Sequence, residues 1–594
     1  MNNSKNAKPE TTITVALADY WALLVRYMAP QWQKVALLFT LLFGSIALRL
    51  IAPQFVRDFI DMAAEGTTSK RLLWIAGLFL GVSLFQQVVR LGSAYFTEDV
   101  KWRATNWLRN DLADHCMRLD MSFHNDHTPG AMIERVDGDV QELSRFFSHF
   151  IVQILGNLIF LTGVLVLLFI EDWRFGATFT LLCATLFALM TRTIRFAAPF
   201  WERFRDASSA QYGLIEEWLG GTEDIRANGG VGYVMDGLQG ANRKLYQTAR
   251  KAWIIGDITW GLSAAFYLLS IAVSLAIGGV LVKNGEITIG TVYLVMHYGN
   301  MLHWPINRLA RELKDLQTAT ASIMRIQQLF LVDPKVADPP HPVELDAGPL
   351  AVQLDEVTFG YNKEDLVLKN LSVELEAGKV MGLLGRTGSG KTTITRLLFR
   401  LYDPISGAIR LGGDDLRTCG LNDIRQRIGM VTQEVQLFQA TVRDNLTFFD
   451  PSIEDENIID TLHMLGMGRW VDSLEEGLDT WLTSGGKGLS AGEAQLLAFT
   501  RVFLKNPGLV IMDEASSRLD PATERLIEQA IDKLLYNRTA IIVAHRLATV
   551  QRADQILILQ DGEITEHGDR IALLADSDSR FSHLLRTGME EVLV

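Results

Sequence analysis

Apolar residues crowd into the first half of this chain and thin out in the second. Six runs approach or exceed the ~20 mostly apolar residues a helix needs to cross a bilayer. They lie at roughly 34–56, 72–96, 148–170, 174–195, 254–282 and 288–312. The second carries Gln86, Gln87 and Arg90, and the sixth His297, His303 and Pro305, so these two are the least clean. One such run would pass for a buried helix of a soluble protein. Six, joined by alternately short and long connections, predict a membrane bundle. After Leu331 the pattern changes. Asp333-Pro334, Asp338-Pro339-Pro340 and His341-Pro342 mark a linker. From about Leu350, runs such as Val352-Leu354-Val357-Phe359 take the period of two that predicts strands. The expected domains are a tail with an interfacial helix (1–33), a transmembrane domain (34–325), a linker (326–349) and an α/β domain (350–594).

The connections orient the bundle. Residues 97–147 carry Lys101, Arg103, Arg109, Arg118, Arg135 and Arg145, and residues 196–253 are similarly basic. The short connections hold only Arg57, Lys70, Arg71, Arg174 and Lys283. The excess of positive charge puts the long connections, and with six spans both termini, in the cytoplasm. These long connections are rich in helix formers, so they predict membrane helices continued beyond the bilayer. Each has one interruption at its tip: His127-Thr128-Pro129-Gly130 in the first, Gly220-Gly221 and Asn228-Gly229-Gly230 in the second. Short transverse helices are expected there, placed to touch a cytoplasmic domain. Trp21, Leu23, Leu24, Tyr27, Met28 and Trp32 interleave with polar residues, as in a helix lying in the membrane interface. Arg49, Arg90, Asp257, His297 and His303 fall in or near spans, where ionisable groups usually face a cavity or a partner.

Composition narrows the reading. The chain has 594 residues, 48% of them hydrophobic, and a net charge of -13, which argues against a general nucleic-acid binder. Three scattered cysteines (Cys116, Cys183, Cys419) offer neither a disulfide framework nor zinc-ligand spacing. The first ten residues lack a signal-peptide layout, so insertion is expected to be driven by the spans themselves.

The chemistry sits in the second half. Val380-Met381-Gly382-Leu383-Leu384 reads as a buried strand. It leads into Gly385-Arg386-Thr387-Gly388-Ser389-Gly390-Lys391-Thr392 and then a helix from Thr393. Strand, glycine-rich loop and helix are the context of a phosphate loop. Its backbone N–H groups turn toward a polyphosphate at a helix N-terminus. Lys391 can bridge β- and γ-phosphates, and Thr392 can ligate Mg²⁺. A second apolar strand, Leu509–Met512, ends in Asp513-Glu514. Asp513 is placed for the metal shell and Glu514 to polarise an attacking water. A third, Ile541–Ala544, ends in His545, placed to sense the γ-phosphate. About twenty residues before the second strand begins Leu489-Ser490-Ala491-Gly492-Glu493.

These motifs, in this order behind six spans, resemble an ATP-binding cassette (ABC) exporter half-transporter over nearly the whole chain. The resemblance implies a six-helix membrane α-helical bundle with cytoplasmic extensions, plus a C-terminal α/β P-loop NTPase domain of the ABC type. It implies an ATP hydrolase coupled to transport, with ATP and Mg²⁺ bound, in a bacterial inner membrane. Tyr361 resembles the aromatic that stacks on adenine. Gln433 resembles the glutamine that joins the Mg²⁺ site to the membrane domain. Leu489–Glu493 resembles the Leu-Ser-Gly-Gly-Gln signature, whose Ser490 and Gly492 would grip the γ-phosphate held by a second cassette. Two cassettes would close head to tail on ATP and switch the bundle from inward- to outward-facing. The cargo would be amphipathic or lipid-like. A non-pumping member, an ATP-gated channel or regulatory subunit, is the alternative, and the presence of Glu514 and His545 argues against it.

Three positions depart from the family pattern. Ala491 replaces the first glycine of the signature, and Glu493 its glutamine, which puts a negative charge near a triphosphate. Gly486 also stands where a glutamate is usual. Lys391, Gln433, Asp513, Glu514 and His545 are all present. This split resembles one subunit of a heterodimeric exporter, whose own phosphate loop works with the partner's signature. A homodimer remains the simpler expectation.

Overall fold

The computed structural model describes residues 22, 25–148, 154–362, 365–432, 435–483, 489–513, 521–544 and 550–587. Most of the expected tail and interfacial helix lies outside these residues. The chain forms two compact units, Met1–Met117 with Pro129–Val332, and Arg118–Thr128 with Asp333–Val594.

The principal helices of the N-terminal half are α1 (Trp32–Ala64), α2 (Ser69–Arg118), α3 (Met121–Asp126), α4 (Val140–Ser148), α5 (Gly156–Glu171), α6 (Trp173–Gly220), α7 (Thr222–Ala227), α8 (Val231–Lys283) and α9 (Ile289–Phe330). All but α3 and the last residue of α2 belong to the first unit. Helices α2, α6 and α8 have 50, 48 and 53 residues. At about 1.5 Å per residue each is more than twice the ~30 Å of a hydrocarbon core, so each continues well beyond it. The helices containing α1, α2, α6 and α8 are long and apolar enough to cross a membrane, and α5 is a shorter apolar helix.

The core of this unit follows helical spacing. Phe160, Val164 and Leu168 on α5 meet Phe175, Phe179, Cys183, Leu186 and Met190 on α6, with Leu294, Val295, Tyr298 and Leu302 on α9. Tyr298 is fully buried, and its hydroxyl is satisfied twice. It donates to the Leu50 carbonyl at 2.7 Å and accepts from Gln54 at 2.9 Å. The Arg49 guanidinium lies 4.2 Å from the Phe160 ring centroid. Helix α9 runs through Pro305 without interruption.

The second unit is built on two sheets. The smaller is antiparallel, in the order β2 (Leu368–Leu375), β1 (Val352–Phe359), β4 (Ser406–Leu411), β5 (Asp414–Asp415). The larger has the order β12 (Glu563–Asp569), β11 (Gln555–Gln560), β3 (Val380–Gly385), β10 (Thr539–Val543), β9 (Leu509–Asp513), β6 (Ile428–Val431). Its strands from β11 to β6 are parallel. A short pair, β7 (Ala440–Thr441) and β8 (Trp481–Leu482), lies apart. Parallel strands are covered on both faces, which is why β3 and β10 read as unbroken buried runs. Alternate residues serve separate cores: Leu384, Val510, Met512 and Ile542 on one face, Leu383, Leu509, Ile511 and Ile541 on the other.

The short helix α3 is held within this second unit. Asp120 caps it, accepting from the Phe123 amide at 3.4 Å. The other oxygen of Asp120 accepts from the Lys335 amide at 2.8 Å, and Asn125 donates to the Tyr402 hydroxyl at 2.8 Å. The first expected transverse helix therefore packs into the same unit as the cassette strands.

Candidate functional site

Strand β10 lies between β3 and β9 and is parallel to both, so the carboxyl ends of all three share one edge of the sheet, the edge where α/β sheets bind ligands. The loop leaving β3 returns sharply into helix α10 (Lys391–Leu398). Two of its glycines are required. Gly390 caps α10 at φ 106°, and a Cβ there would come within 2.5 Å of the Leu368 side chain. At Gly385 a Cβ would meet the Leu559 carbonyl oxygen at 2.4 Å. The loop can lie this close to β2 and β11 only without side chains at these positions.

Lys391 is buried beneath the loop. Its ammonium donates to the carbonyls of Gly385 at 2.5 Å and Arg386 at 3.0 Å. Burial pushes its pKa down, and the charge of Asp513 acts in the opposite direction. A desolvated cation held by two carbonyls is compensated further when an anion comes to it. The Ser389 hydroxyl is buried with no hydrogen-bond partner, and a phosphate oxygen would supply one. Gly388, Arg386, Thr387 and Thr392 are exposed along the loop, and Thr393 is buried. The cradle therefore fits a polyphosphate.

Tyr361 stands at the edge of this loop. Its hydroxyl lies 3.3 Å from the Thr393 hydroxyl and accepts from Arg396 at 3.0 Å. Its ring packs edge-on against Phe359 and Tyr402, at 5.2 and 5.4 Å between centroids. With 40% of the residue exposed, it can offer a ring surface to a flat base. Tyr402 and Arg396, which brace it, carry no motif of their own.

Thr392 and Asp513 carry hard oxygen atoms of the kind Mg²⁺ takes, so they would be the described residues to hold it. Gln433, Glu514 and His545 lie outside the described residues. What is described is the approach to each: β6 before Gln433, β9 before Glu514, and β10 before His545, with Val543 paired to Asp513.

The signature stretch is organised differently. Ser490 is the N-cap of helix α11 (Ala491–Lys505), and its hydroxyl accepts from the Glu493 amide at 3.2 Å. The Glu493 carboxylate accepts in turn from the Ser490 amide and hydroxyl, both at 2.8 Å. This is a capping box, and Ser-x-x-Glu is its sequence mark. Sequence reasoning treated Glu493 as a misplaced charge and missed its second role. Ser490 and Ala491 are exposed, and Gly492 is buried. Among the described residues no contact joins Ser490 or Gly492 to the phosphate loop.

Residues 35–306 match the model of the ABC transporter transmembrane region, and residues 368–517 the ABC transporter model. A fatty acid ABC transporter ATP-binding/permease protein of Mycobacterium tuberculosis is 31% identical over 79% of this chain and 74% of its own length. An ATP-dependent lipid A-core flippase of Syntrophus aciditrophicus is 28% identical over 93% and 91% of the two chains. The solved structure of a bacterial Atm1-family ABC exporter with ATP bound shares the fold. Its TM-score is 0.75 at 23% identity, over 94% of this chain and 98% of that one.

Proposed function

Since the chain belongs to the ABC transporter family, as an ATP-hydrolysing transporter with both domains in one half-transporter, we propose that it exports an amphipathic or lipid-like substrate by alternating access. Both termini face the cytoplasm, and the working unit is a heterodimer. The related fatty acid transporter and lipid A-core flippase support a lipid-like cargo.

In this reading the loop amides and Lys391 bind the β- and γ-phosphates, and Tyr361 stacks on adenine. Thr392, Gln433 and Asp513 would hold Mg²⁺, which when bound offsets phosphate charge. Glu514 takes up the proton of the attacking water, and His545 orients the γ-phosphate. ATP favours the closed pair of cassettes, and that preference shifts the bundle between its two states. Helix α3, tied to the cassette by Asp120 and Asn125, carries the movement.

The Ser490–Glu493 box carries the asymmetric part of the proposal. A serine hydroxyl already donating to its own helix is a poorer donor to another cassette's phosphate, and the carboxylate beside it repels that phosphate. This chain's signature therefore caps a slow site, and its own phosphate loop works with a partner's better signature. The test is ATPase activity of the purified chain, alone and mixed with a second half-transporter. Full activity as a homodimer would sink the heterodimer. The Glu514→Gln variant is expected to bind ATP without turning it over.

A further inference from the structure

The cargo class follows from a cavity in the first unit that the nucleotide chemistry does not use. Helices α6, α8 and α9 enclose about 270 Å³ between them. Trp201, Trp253, Trp260 and Trp304 all line it. Trp201 and Trp253 meet edge to face at 5.3 Å, and Gly256 makes room for them: a Cβ there would already touch the Trp201 ring at 3.4 Å. Trp253, Trp260 and Trp304 are more than half exposed, so much of their aromatic surface is not consumed by protein packing.

The polar groups in the same wall include one carboxylate and no lysine or arginine. Asp257 lines the cavity from α8, within the run expected to enter the membrane. Among the described residues no cation pairs with it. His303 Nδ1 lies 2.8 Å from the Asn300 carbonyl oxygen. A carbonyl only accepts, so Nδ1 carries the proton and a neutral ring leaves Nε2 as an acceptor. Ser263 and Asn307 bond to each other across α8 and α9, at 2.7 Å from the Asn307 amide to the serine hydroxyl. The lining thus combines four indole rings, a carboxylate and an imidazole acceptor, with no cationic side chain in it.

We propose that this cavity binds a lipophilic organic cation. Indole faces attract cations through the ring quadrupole, most strongly where water is excluded. A carboxylate in or near a span usually faces a cavity or a partner, and such residues mark substrate paths. The same lining repels the carboxylates and phosphates of anionic lipids. The proposal rests on the export reading and narrows its substrate from amphipathic to cationic and aromatic-compatible.

The experiment is equilibrium binding of labelled tetraphenylphosphonium to the purified full-length protein in detergent, without nucleotide. Tetraphenylborate, an anion of the same shape, serves as competitor. Saturable binding is expected, unaffected by tetraphenylborate. Asp257→Asn should weaken it on the order of tenfold or more, as should Trp304→Ala, while Asp257→Glu retains most of it. Gel filtration of each variant reports its folding. Binding that ignores Asp257→Asn, binding shared with tetraphenylborate, or no saturable binding overturns the site. Because nucleotide is absent, the two readings separate. Saturable cation binding without ATP-driven movement keeps the site and ends the export proposal. ATP-driven movement of another compound without cation binding does the reverse.

Discussion

The phosphate loop and the signature stretch both sit at the start of a helix, yet they are built to opposite ends. At 385–392 the loop turns inward. Lys391 is buried, Ser389 lacks a partner, and the capping residue is a glycine that offers the helix no side chain. At 489–493 the chain turns outward, and Ser490 and Glu493 satisfy each other at the surface. One helix start keeps its bonding capacity for a ligand, and the other uses it on itself. A helix N-terminus is an anion site only to the extent that its own residues leave it unsatisfied.

The largest expected effect tests the inward loop. Lys391→Ala should lower ATP turnover on the order of a hundredfold or more, the scale of losing a donor to developing charge. Ser490→Ala in the same assembly should change it by less than about threefold, since a serine held by its own box contributes little to phosphate binding. Equal losses would erase the distinction. Tyr361→Ala comes next. It should raise the KM for ATP roughly tenfold with little change in kcat, given about 1–3 kcal/mol for stacking on a base. A KM that stays put would take Tyr361 out of the site.

A smaller effect sharpens the outward half. Glu493→Gln keeps a capping-box residue and removes only the charge. Turnover by the chain alone should rise severalfold, with a stability change of no more than a few tenths of a kcal/mol. Glu493→Ala also loses the cap, at about 0.5–2 kcal/mol in thermal or urea unfolding. If Glu493→Gln leaves turnover unchanged, the charge is not what slows this site.

The smallest concerns Asp120. Burial works to raise its pKa, but hydrogen bonds from Ser122 and the Lys335 and Phe123 amides outweigh it, and the pKa is held below the ordinary value. A depressed carboxylate pKa stabilises the folded form above the unfolded value of about 4, and the contribution fades as pH falls through the folded pKa. Hydrogen-exchange protection of the Phe123 and Lys335 amides, corrected for intrinsic rates, should hold from neutral pH down to that range and then drop. Asp120→Asn should flatten the profile.

How much of this was legible in the sequence depends on how far apart the cooperating residues lie. The phosphate loop is local, so its glycines, its lysine and the strand before it announced themselves together. The apolar runs were legible because a bilayer imposes a length on them, and four of the six fall in helices long and apolar enough to cross. The Ser490–Glu493 box was also local, and Ser-x-x-Glu before a helix could have been read directly. The resemblance to a signature drew attention to charge instead. The tie from Asn125 to Tyr402 was not legible, because 277 positions separate the two residues and neither stands in a motif. The tryptophan-lined cavity was hidden for the same reason. Its walls come from three helices, and although Asp257 and His303 stand out as ionisable groups in or near spans, nothing local to either says that they meet four tryptophans.

Residues 118–128 have a consequence for how the protein can be taken apart. They belong to the compact unit of the cassette, although the chain reaches that unit again only at Asp333. A fragment beginning at the linker would carry the Tyr402 hydroxyl and the Lys335 amide without Asn125 and Asp120 to meet them. The boundary of the ATPase module is therefore not one cut in the sequence but three. A faithful excised module would need the 118–128 segment grafted back, as an insert or as a peptide added in trans.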